Sequence, residues 1–304
     1  MLKRTLCFSS RGFLRCANQQ LVYETEVDGE KKTHTFPIED LGFVVIETPQ
    51  VTLTSYALQA LAANNTAVVF CDTSCMPSAI LQPLMMHSTA QKHAQAQLEA
   101  TEALKNRLWR QTIQAKIRNQ ATLLSKSNES ASRRLMNLAD QVKNGDPGNC
   151  EAQAARIYFS SHDLGPTFRR DPDGVMPNAA LNYGYAILRA ATARALVGSG
   201  LICMVGIHHH NQYNSFVLAD DIMEPYRPFV DDIVLSQIEL FVSSQTLTQP
   251  MKATLLGTLT TDVMIGEMRR PLMNALSYTT ASLVRCFAKE DKEIQYPEFP
   301  PYAQ

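Results

Sequence analysis

The composition and hydrophobic pattern of the chain change at Pro83, and this change constrains the fold more than any other feature of the sequence. Before Pro83, short β-branched and apolar runs such as 43–46 and 67–71 are bounded by polar turn residues, which is typical of strands. After it, residues 91–124 contain neither proline nor glycine and are rich in alanine, glutamine, leucine and lysine, which favours long helices. We therefore predict an α+β chain, with a small N-terminal β domain followed by a larger all-α C-terminal domain.

Residues that favour turns and loops indicate where the predicted segments begin and end. Asp28-Gly29 predicts a hairpin turn, residues 53–64 predict one short helix, and glycine, proline and asparagine near 143–149 and 165–177 predict loops. Three prolines in the last nine residues predict an extended or disordered tail. The predicted segments are a β domain at 1–83, a linker at 84–90, a helical domain at 91–295 and a proline-rich tail at 296–304.

Composition limits the class of protein. The net charge is −1, so any nucleic-acid binding must come from local basic patches rather than from bulk charge. No apolar run approaches the roughly 18 residues of a membrane span, so we expect no membrane segment. Seven cysteines without paired spacings indicate a reducing compartment, and the isolated pair Cys71 and Cys75 does not indicate zinc.

The N-terminus carries one ambiguous signal. Four basic residues precede the first acidic one, Glu24, as they do in an organellar transit peptide. The apolar residues there stand in short runs broken at Gly12 and Asn18, which strands joined by turns explain better than an amphipathic helix. We therefore expect a cytoplasmic protein.

A first candidate for chemistry is Glu151. Asn149 is a favourable N-cap residue, which places Glu151 in the first turn of a helix. A glutamate in that turn can simply complement the helix dipole. The alanines at 152, 154 and 155, however, allow other backbone to approach closely, which leaves the carboxylate in a crevice.

Three consecutive histidines, at 208–210, form the second candidate. They directly follow the apolar run 201–207, and neutral imidazole is a common nitrogen ligand of divalent metals. A solvated loop is the alternative interpretation.

A third candidate combines Asp220, Asp221 and Glu224, which share one face if the segment is helical. Like charges at that spacing repel one another and are usually compensated by a metal or a basic partner, although a solvated acidic turn is the alternative. Two carboxylates and one imidazole together would favour Mg²⁺ or Mn²⁺ over structural zinc. Such sites act on phosphate esters.

The strongest candidate for contact with a phosphate backbone is the predicted helix at 103–127, which carries six basic residues and no acidic one. A solvated helix face is the alternative. The loop near 165–177 adds two adjacent arginines that can extend the surface. The predicted DNA-binding residues are Arg107, Arg110, Lys116, Arg118, Arg169 and Arg170.

At these residues the chain resembles the integrase–endonuclease of CRISPR adaptation, which is the larger, catalytic subunit of the spacer-acquisition complex. The type II branch is the closest match. The resemblance runs essentially from end to end. It is carried by Lys3-Arg4-Thr5-Leu6, Pro37-Ile38-Glu39-Asp40-Leu41-Gly42, residues 111–117, residues 119–121, residues 149–159, Leu181-Asn182-Tyr183-Gly184-Tyr185, Gly206-Ile207-His208-His209 and Met223-Glu224-Pro225-Tyr226-Arg227-Pro228.

The resemblance implies a ligand set for a divalent metal. In that family a glutamate, a histidine and an acidic residue hold Mg²⁺ or Mn²⁺, and the matching motifs select Glu151, His209 and Glu224 here. The family's histidine closes a Gly-x-x-His segment, so His209 is selected over His208 and His210. The family's fold, an N-terminal β domain followed by a helical domain, agrees with the organisation expected from the composition and hydrophobic pattern of the chain.

The resemblance also implies a reaction and partners. The expected reaction is insertion of a double-stranded prespacer into a CRISPR repeat by attack of its 3′-hydroxyl on a phosphodiester. The expected assembly is a homodimer that joins a small companion subunit in a four-plus-two complex. A plain metal-dependent nuclease is the alternative function, and a non-catalytic DNA-binding scaffold is a third.

Overall fold

A computed structural model describes residues 3–27, 29–83, 87–162, 168–171 and 173–301. The chain divides into two compact units, Met1–Ser88 and Thr89–Gln304. Parts of the predicted hairpin turn (28), of the linker (84–86), of the second loop (163–167 and 172) and of the tail (302–304) lie outside the described residues.

In the described residues, the first unit contains eight strands, one α-helix and one 3₁₀ turn, Ile38–Asp40. Two four-stranded sheets have the orders β1-β5-β7-β8 and β4-β3-β2-β6. In the first sheet β1, β5 and β7 run parallel and β8 runs antiparallel to β7. The elements are β1 Arg4–Phe8, β2 Gly12–Ala17, β3 Gln20–Val27, β4 Glu30–Pro37, β5 Leu41–Ile46, β6 Val51–Leu53, α1 Ser55–Ala63, β7 Ala67–Cys71 and β8 Pro77–Leu81.

The predicted elements of this unit are present, for local reasons. All six residues of β5 are buried, as a continuous β-branched and apolar run requires. The pairing of Val27 with Glu30 leaves a two-residue connection, whose described residue Gly29 has a φ of +80°. The Thr54 side chain accepts a hydrogen bond from Ala57 N and begins α1.

The second unit is largely helical. Its elements are α2 Ala90–Leu98, α3 Glu102–Leu124, α4 Glu129–Gln141, α5 Cys150–Ser160, α6 Asn178–Gly198, α7 Val217–Met223, α8 Arg227–Ser236, α9 Ile238–Val242, α10 Gln249–Leu256, β9 Asp262–Ile265, β10 Met268–Pro271, α11 Leu272–Phe287 and β11 Pro297–Glu298. A 3₁₀ turn, Glu224–Tyr226, joins α7 to α8. The predicted order of a β region followed by a largely helical region is confirmed.

Helix α3 runs through the core of this unit. Its buried apolar residues recur at helical spacing, and the single tryptophan, Trp109, is 1% exposed. Helices α4, α5 and α8, the 3₁₀ turn and β11 all contact α3. One helix therefore touches most of the segments that carry candidate site residues. No helix in the described part of the chain is long and apolar enough to cross a membrane.

Two features of this unit differ from the sequence prediction. It is not entirely α-helical, because β10, β9 and β11 form a three-stranded antiparallel sheet. The proline-rich segment is extended, but as far as Pro301 it belongs to the packed unit rather than forming a free tail. The Tyr296 hydroxyl lies 2.7 Å from Thr112 Oγ1, and the Phe299 ring stacks on Phe229 with centroids 4.1 Å apart. Tyr296 and Phe299 supply the apolar area that holds the segment in place.

Candidate active site

Glu151 lies in the first turn of α5, as predicted, but the cap differs from the prediction. Asn149 occupies the N-cap position in a left-handed conformation (φ 51°), and its side chain makes no cap hydrogen bond. Asp146 replaces it, because its two carboxylate oxygens accept hydrogen bonds from Cys150 N and Glu151 N, each 2.9 Å long. A charged cap at the positive end of the helix fixes the backbone of Glu151.

Glu224 is 4% exposed and begins the 3₁₀ turn after α7. Asn119 on α3 holds this turn by donating a hydrogen bond of 2.8 Å to Pro225 O. Arg227 Nη2 lies 2.9 Å from Glu224 Oε1, and Lys116 Nζ lies 2.6 Å from Oε2. Burial acts to raise the pKa of Glu224, but the two cations outweigh it and hold the pKa below its ordinary value.

Lys116 joins the two glutamates. Its Nζ also lies 2.6 Å from Glu151 Oε1, so the two carboxylate oxygens are at most about 5.2 Å apart. Burial acts to lower the pKa of Lys116, but the nearby carboxylates raise it above its ordinary value, so the side chain is an ammonium at neutral pH. The prediction of Lys116 as an exposed phosphate contact needs correction, since the residue is only 9% exposed. Helical periodicity could have indicated that Lys116 is buried, because it falls on the same side of α3 as the buried Thr112 and Ile113.

His209 is positioned by Asp221, which is completely buried. The carboxylate of Asp221 accepts hydrogen bonds from the backbone nitrogens of Ile207 (2.8 Å), His208 (3.0 Å) and His209 (3.3 Å), and lies 2.6 Å from His209 Nδ1. A Cβ at Gly206 would lie 2.8 Å from Asp221 Oδ2, so only glycine allows the loop to wrap this tightly. The Gly-x-x-His and Asp-x-x-Glu motifs are thus two halves of one structure.

This arrangement selects the ring nitrogen that can act in chemistry. A carboxylate only accepts hydrogen bonds, so His209 Nδ1 donates, and Nε2 carries the lone pair when the ring is neutral. The hydrogen bond with Asp221 is the main reason that the pKa of His209 is raised above its ordinary value, against the effect of burial. Asp221 therefore orients the imidazole, a role that the sequence did not distinguish from that of a ligand.

The other two histidines differ in environment. The His208 ring stacks on Trp109 with centroids 4.1 Å apart and planes 2° apart, and burial lowers its pKa. His210 is exposed. Of the three imidazoles, only that of His209 is paired with Asp221.

The expectation that three carboxylates share one face and one counter-ion is wrong. Asp220 accepts a hydrogen bond of 2.7 Å from Arg189 Nε and another from Asn214 Nδ2, while Asp221 faces the histidine loop. Only Glu224 lies beside Lys116 and Glu151. The helix ends at Met223, and the tighter 3₁₀ turn that follows gives each carboxylate a partner of its own.

A cleft of about 480 Å³ opens beside Glu224 and His209. Three arginines line it, namely Arg170, Arg189 and Arg227. Arg170 donates hydrogen bonds to the side-chain oxygens of Asn178 and Asn182, and its guanidinium lies over the Tyr185 ring, 5.2 Å from the centroid. The cleft combines carboxylates, an imidazole and guanidinium groups, a set suited to phosphate esters.

The remaining predicted DNA-binding residues lie apart from Lys116. Arg107 and Arg110 are partly buried, whereas Arg118 has a half-exposed side chain, 3.1 Å from Asp140. Arg169 is exposed, and Arg170 lines the cleft. Contact of these arginines with DNA stays a prediction.

The donor set suits a hard divalent ion. Glu151, Glu224 and His209 supply two carboxylates and an imidazole, and the buried Glu224 Oε2 receives an ion pair from Lys116 but no aligned hydrogen bond. Among the described residues, no three His, Cys, Asp or Glu side chains yet surround a common point as ligands would. The ammonium of Lys116 lies between the two carboxylates, where an ion shared by them would need to bind.

Comparison with known proteins places the chain in a family. The model of the family described as CRISPR associated protein Cas1 matches residues 6–246. A CRISPR-associated endonuclease Cas1 from Neisseria meningitidis serogroup C (strain 8013) is 34% identical over 303 residues, covering 99% of this chain and 98% of that protein.

Two solved structures share the fold. A casposase bound to its integration product superimposes with a TM-score of 0.79 at 19% identity, over 97% of this chain and 92% of the casposase chain. A chain of a Cas6-RT-Cas1–Cas2 complex superimposes with a TM-score of 0.72 at 19% identity, over 95% of this chain and 35% of that chain.

Proposed function

The chain belongs to the Cas1 family of CRISPR-associated endonucleases and integrases, and on this basis we propose that it is a metal-dependent DNA integrase of CRISPR adaptation. One observation carries the proposal. Glu224 and His209 line one cleft together with three arginines, and Glu151, from a third segment, shares the ammonium of Lys116 with Glu224. The full-length similarity to a casposase seen with an integration product favours joining over hydrolysis alone.

The proposed reaction is a transesterification at phosphorus. The 3′-hydroxyl oxygen of a prespacer forms a bond to a phosphorus of the repeat, and the bond from that phosphorus to the adjoining 3′ oxygen breaks. The attacking hydroxyl loses its proton and the leaving oxygen gains one. A bound Mg²⁺ or Mn²⁺ would polarise the phosphate and stabilise the charge of the transition state.

The chain's own residues have distinct roles in this scheme. Glu151, Glu224 and His209 Nε2 would hold the ion, and Asp221 keeps Nε2 available by accepting a hydrogen bond from Nδ1. Arg170, which its two asparagine partners hold at the cleft, would pair with a phosphate that flanks the reacting one.

The proposed partners follow the family resemblance. They are double-stranded DNA (prespacer and CRISPR repeat), a second copy of this chain, and a small companion subunit in a four-plus-two complex. The solved Cas6-RT-Cas1–Cas2 complex supports a companion subunit for this fold. We also propose membership of the type II branch and action in the cytoplasm.

The test compares two glutamates in equivalent positions. Glu151 and Glu129 each occupy the first turn of a helix, so replacing either with alanine removes the same dipole contribution of about 0.3–1 kcal/mol. Glu151→Ala should bind DNA but not join a recessed, hydroxyl-bearing duplex to a repeat-containing plasmid, whereas Glu129→Ala should join as the wild type does.

The same assay separates the alternatives. Cleavage without joining by the wild type would identify a plain nuclease, and a mobility shift without product would identify a scaffold. Full joining in the presence of a chelator would refute the metal requirement. Joining by Glu151→Ala at the wild-type rate would show that Glu151 only stabilises its helix.

A further inference from the structure

Lys116 lies at the centre of the candidate site, yet neither the donor set nor the proposed reaction assigns it a role. It lies in the middle of α3, on the buried face of the helix. Its Nζ lies 2.6 Å from Glu151 Oε1 and 2.6 Å from Glu224 Oε2. One ammonium thus ties together α3, α5 and the 3₁₀ turn.

The charges of this cluster are balanced. Two carboxylates, Glu151 and Glu224, face two cations, Lys116 and Arg227. A buried carboxylate such as that of Glu224 is strongly unfavourable without a partner, and the partly exposed Glu151 carboxylate, at most about 5.2 Å away, would also repel it. Lys116 therefore supplies the positive charge that keeps both side chains in place while no metal is bound.

The same geometry opposes entry of a divalent ion. A carboxylate oxygen binds Mg²⁺ at about 2.1 Å, and an ammonium 2.6 Å from that oxygen would be in repulsive contact with the ion. A lysine stem is flexible and its charge is compact, so the ammonium can move a few ångströms without breaking the helix. Arg227 differs, because it pairs with the other oxygen of Glu224 and lies over the Tyr185 ring, 4.7 Å from the centroid.

We propose that Lys116 is a positioning residue that takes the place of the divalent ion in the metal-free site and is displaced from at least one glutamate when the ion binds. This inference rests on the proposed function for the identity of the site, and it adds a determinant of metal affinity. Lys116 occupies one oxygen of each carboxylate, and it therefore makes ion binding weaker than it would be at the same carboxylates without the lysine.

The test is a titration of the full-length protein with Mn²⁺ alone, with free Mn²⁺ followed by electron paramagnetic resonance. Lys116→Met keeps the length of the side chain and removes its charge. It should bind Mn²⁺ at least about tenfold more tightly than the wild type, because charges a few ångströms apart interact strongly at a partly buried site. The control is Lys105→Met on the same helix, where the lysine pairs with the exposed Glu102; its affinity should equal that of the wild type.

Thermal unfolding gives a second readout that is independent of joining. Without metal, Lys116→Met should unfold at a lower temperature than the wild type, since Glu151 loses its ion pair with Lys116 and Glu224 keeps only Arg227. Saturating Mn²⁺ should raise its unfolding temperature by more than it raises that of the wild type, as tighter binding to the folded state requires. Equal or weaker Mn²⁺ binding by Lys116→Met would overturn the proposal.

If Lys116→Met does not fold, the wild type itself decides. Crystals soaked in Mn²⁺ should show the ion on the glutamates and Lys116 Nζ withdrawn from at least one of them. An ion bound with both lysine ion pairs intact would overturn the inference while leaving the proposed function standing. Absence of Mn²⁺ binding by any variant, together with joining in a chelator, would overturn the metal-dependent function as well.

Discussion

Replacing Asp221 with asparagine should disable His209 without removing it. The carboxylate accepts four hydrogen bonds, two at Oδ2 (Ile207 N and His208 N) and two at Oδ1 (His209 N and Nδ1). Whichever way an asparagine amide turns, its NH₂ group faces two of these donors. If it faces Ile207 N and His208 N, two donors lose their acceptor; if it faces His209, the ring can change tautomer so that Nδ1 accepts and only His209 N is left unpaired. At about 1–3 kcal/mol for each unpaired donor, the loss of unfolding free energy is about 1–6 kcal/mol.

The functional loss should exceed what the lower stability explains. Without a carboxylate at Nδ1, the imidazole is no longer restricted to the tautomer that leaves Nε2 free, and loss of such a partner lowers metal affinity by about 10- to 100-fold. Joining by Asp221→Asn is measured well below its unfolding temperature, next to Mn²⁺ affinity and the ¹⁵N shifts of the His209 ring. The matched control is Asp140→Asn, a carboxylate whose side chain is 72% exposed.

Two results would contradict these roles of Asp221. If Asp221→Asn unfolds within about 0.5 kcal/mol of the wild type, as surface substitutions do, the four hydrogen bonds do not carry the energy assigned to them. If it is destabilised but joins at the wild-type rate below its unfolding temperature, Asp221 supports the loop and does not orient His209.

Three further predictions concern other parts of the helical unit. Burial raises the pKa of Asp231 to about 6 from an ordinary 3.8, so its ionisation should lower the free energy of unfolding by roughly 3 kcal/mol as the pH rises from about 4 to 6. In a denaturant series, the stability of Asp231→Asn relative to the wild type should therefore increase over that pH range, and a difference that does not change with pH would contradict this. His208→Ala should lose about 0.5–1.5 kcal/mol of unfolding free energy, because it loses the stacking on Trp109, whereas His210→Ala should lose almost none; both variants should still join DNA. If either variant lost joining at full stability while His209→Ala kept it, the ligand assignment would shift by one residue. Arg118→Ala should weaken binding to all duplexes alike and flatten the salt dependence by about one unit, and an unchanged slope would place the DNA surface elsewhere.

The fold could be predicted from the sequence wherever a local pattern is periodic. The continuous apolar run of β5 and the helical spacing of buried apolar residues in α3 are each visible within the segment itself, so neighbours in sequence suffice to identify them. The three-stranded sheet was missed because β11 has two residues and pairs with β9 across the whole of α11. Periodicity cannot be seen in an element that short.

The candidate site divides in the same way. The motifs that end at His209 and Glu224 could be named from the sequence through the family resemblance, whereas the pairing of His209 with Asp221 and of Glu224 with Lys116 could not. Capping of α5 by Asp146 instead of Asn149 was not predicted, since the left-handed backbone at Asn149 turns its side chain away from the helix end.

By itself, the sequence determined the order of a β region and a largely helical region, the family, and the residue types able to hold a divalent ion. Only the tertiary structure decided which charges meet. Lys116 lies on a helix rich in basic residues and looked like a surface contact, but the packing of α3 against α5 and the 3₁₀ turn buries it between Glu151 and Glu224. The physical reason is that helix periodicity is a local property of the chain, whereas the partner of a buried charge is set by segments distant in sequence, and an unpaired charge there would be too unfavourable to keep.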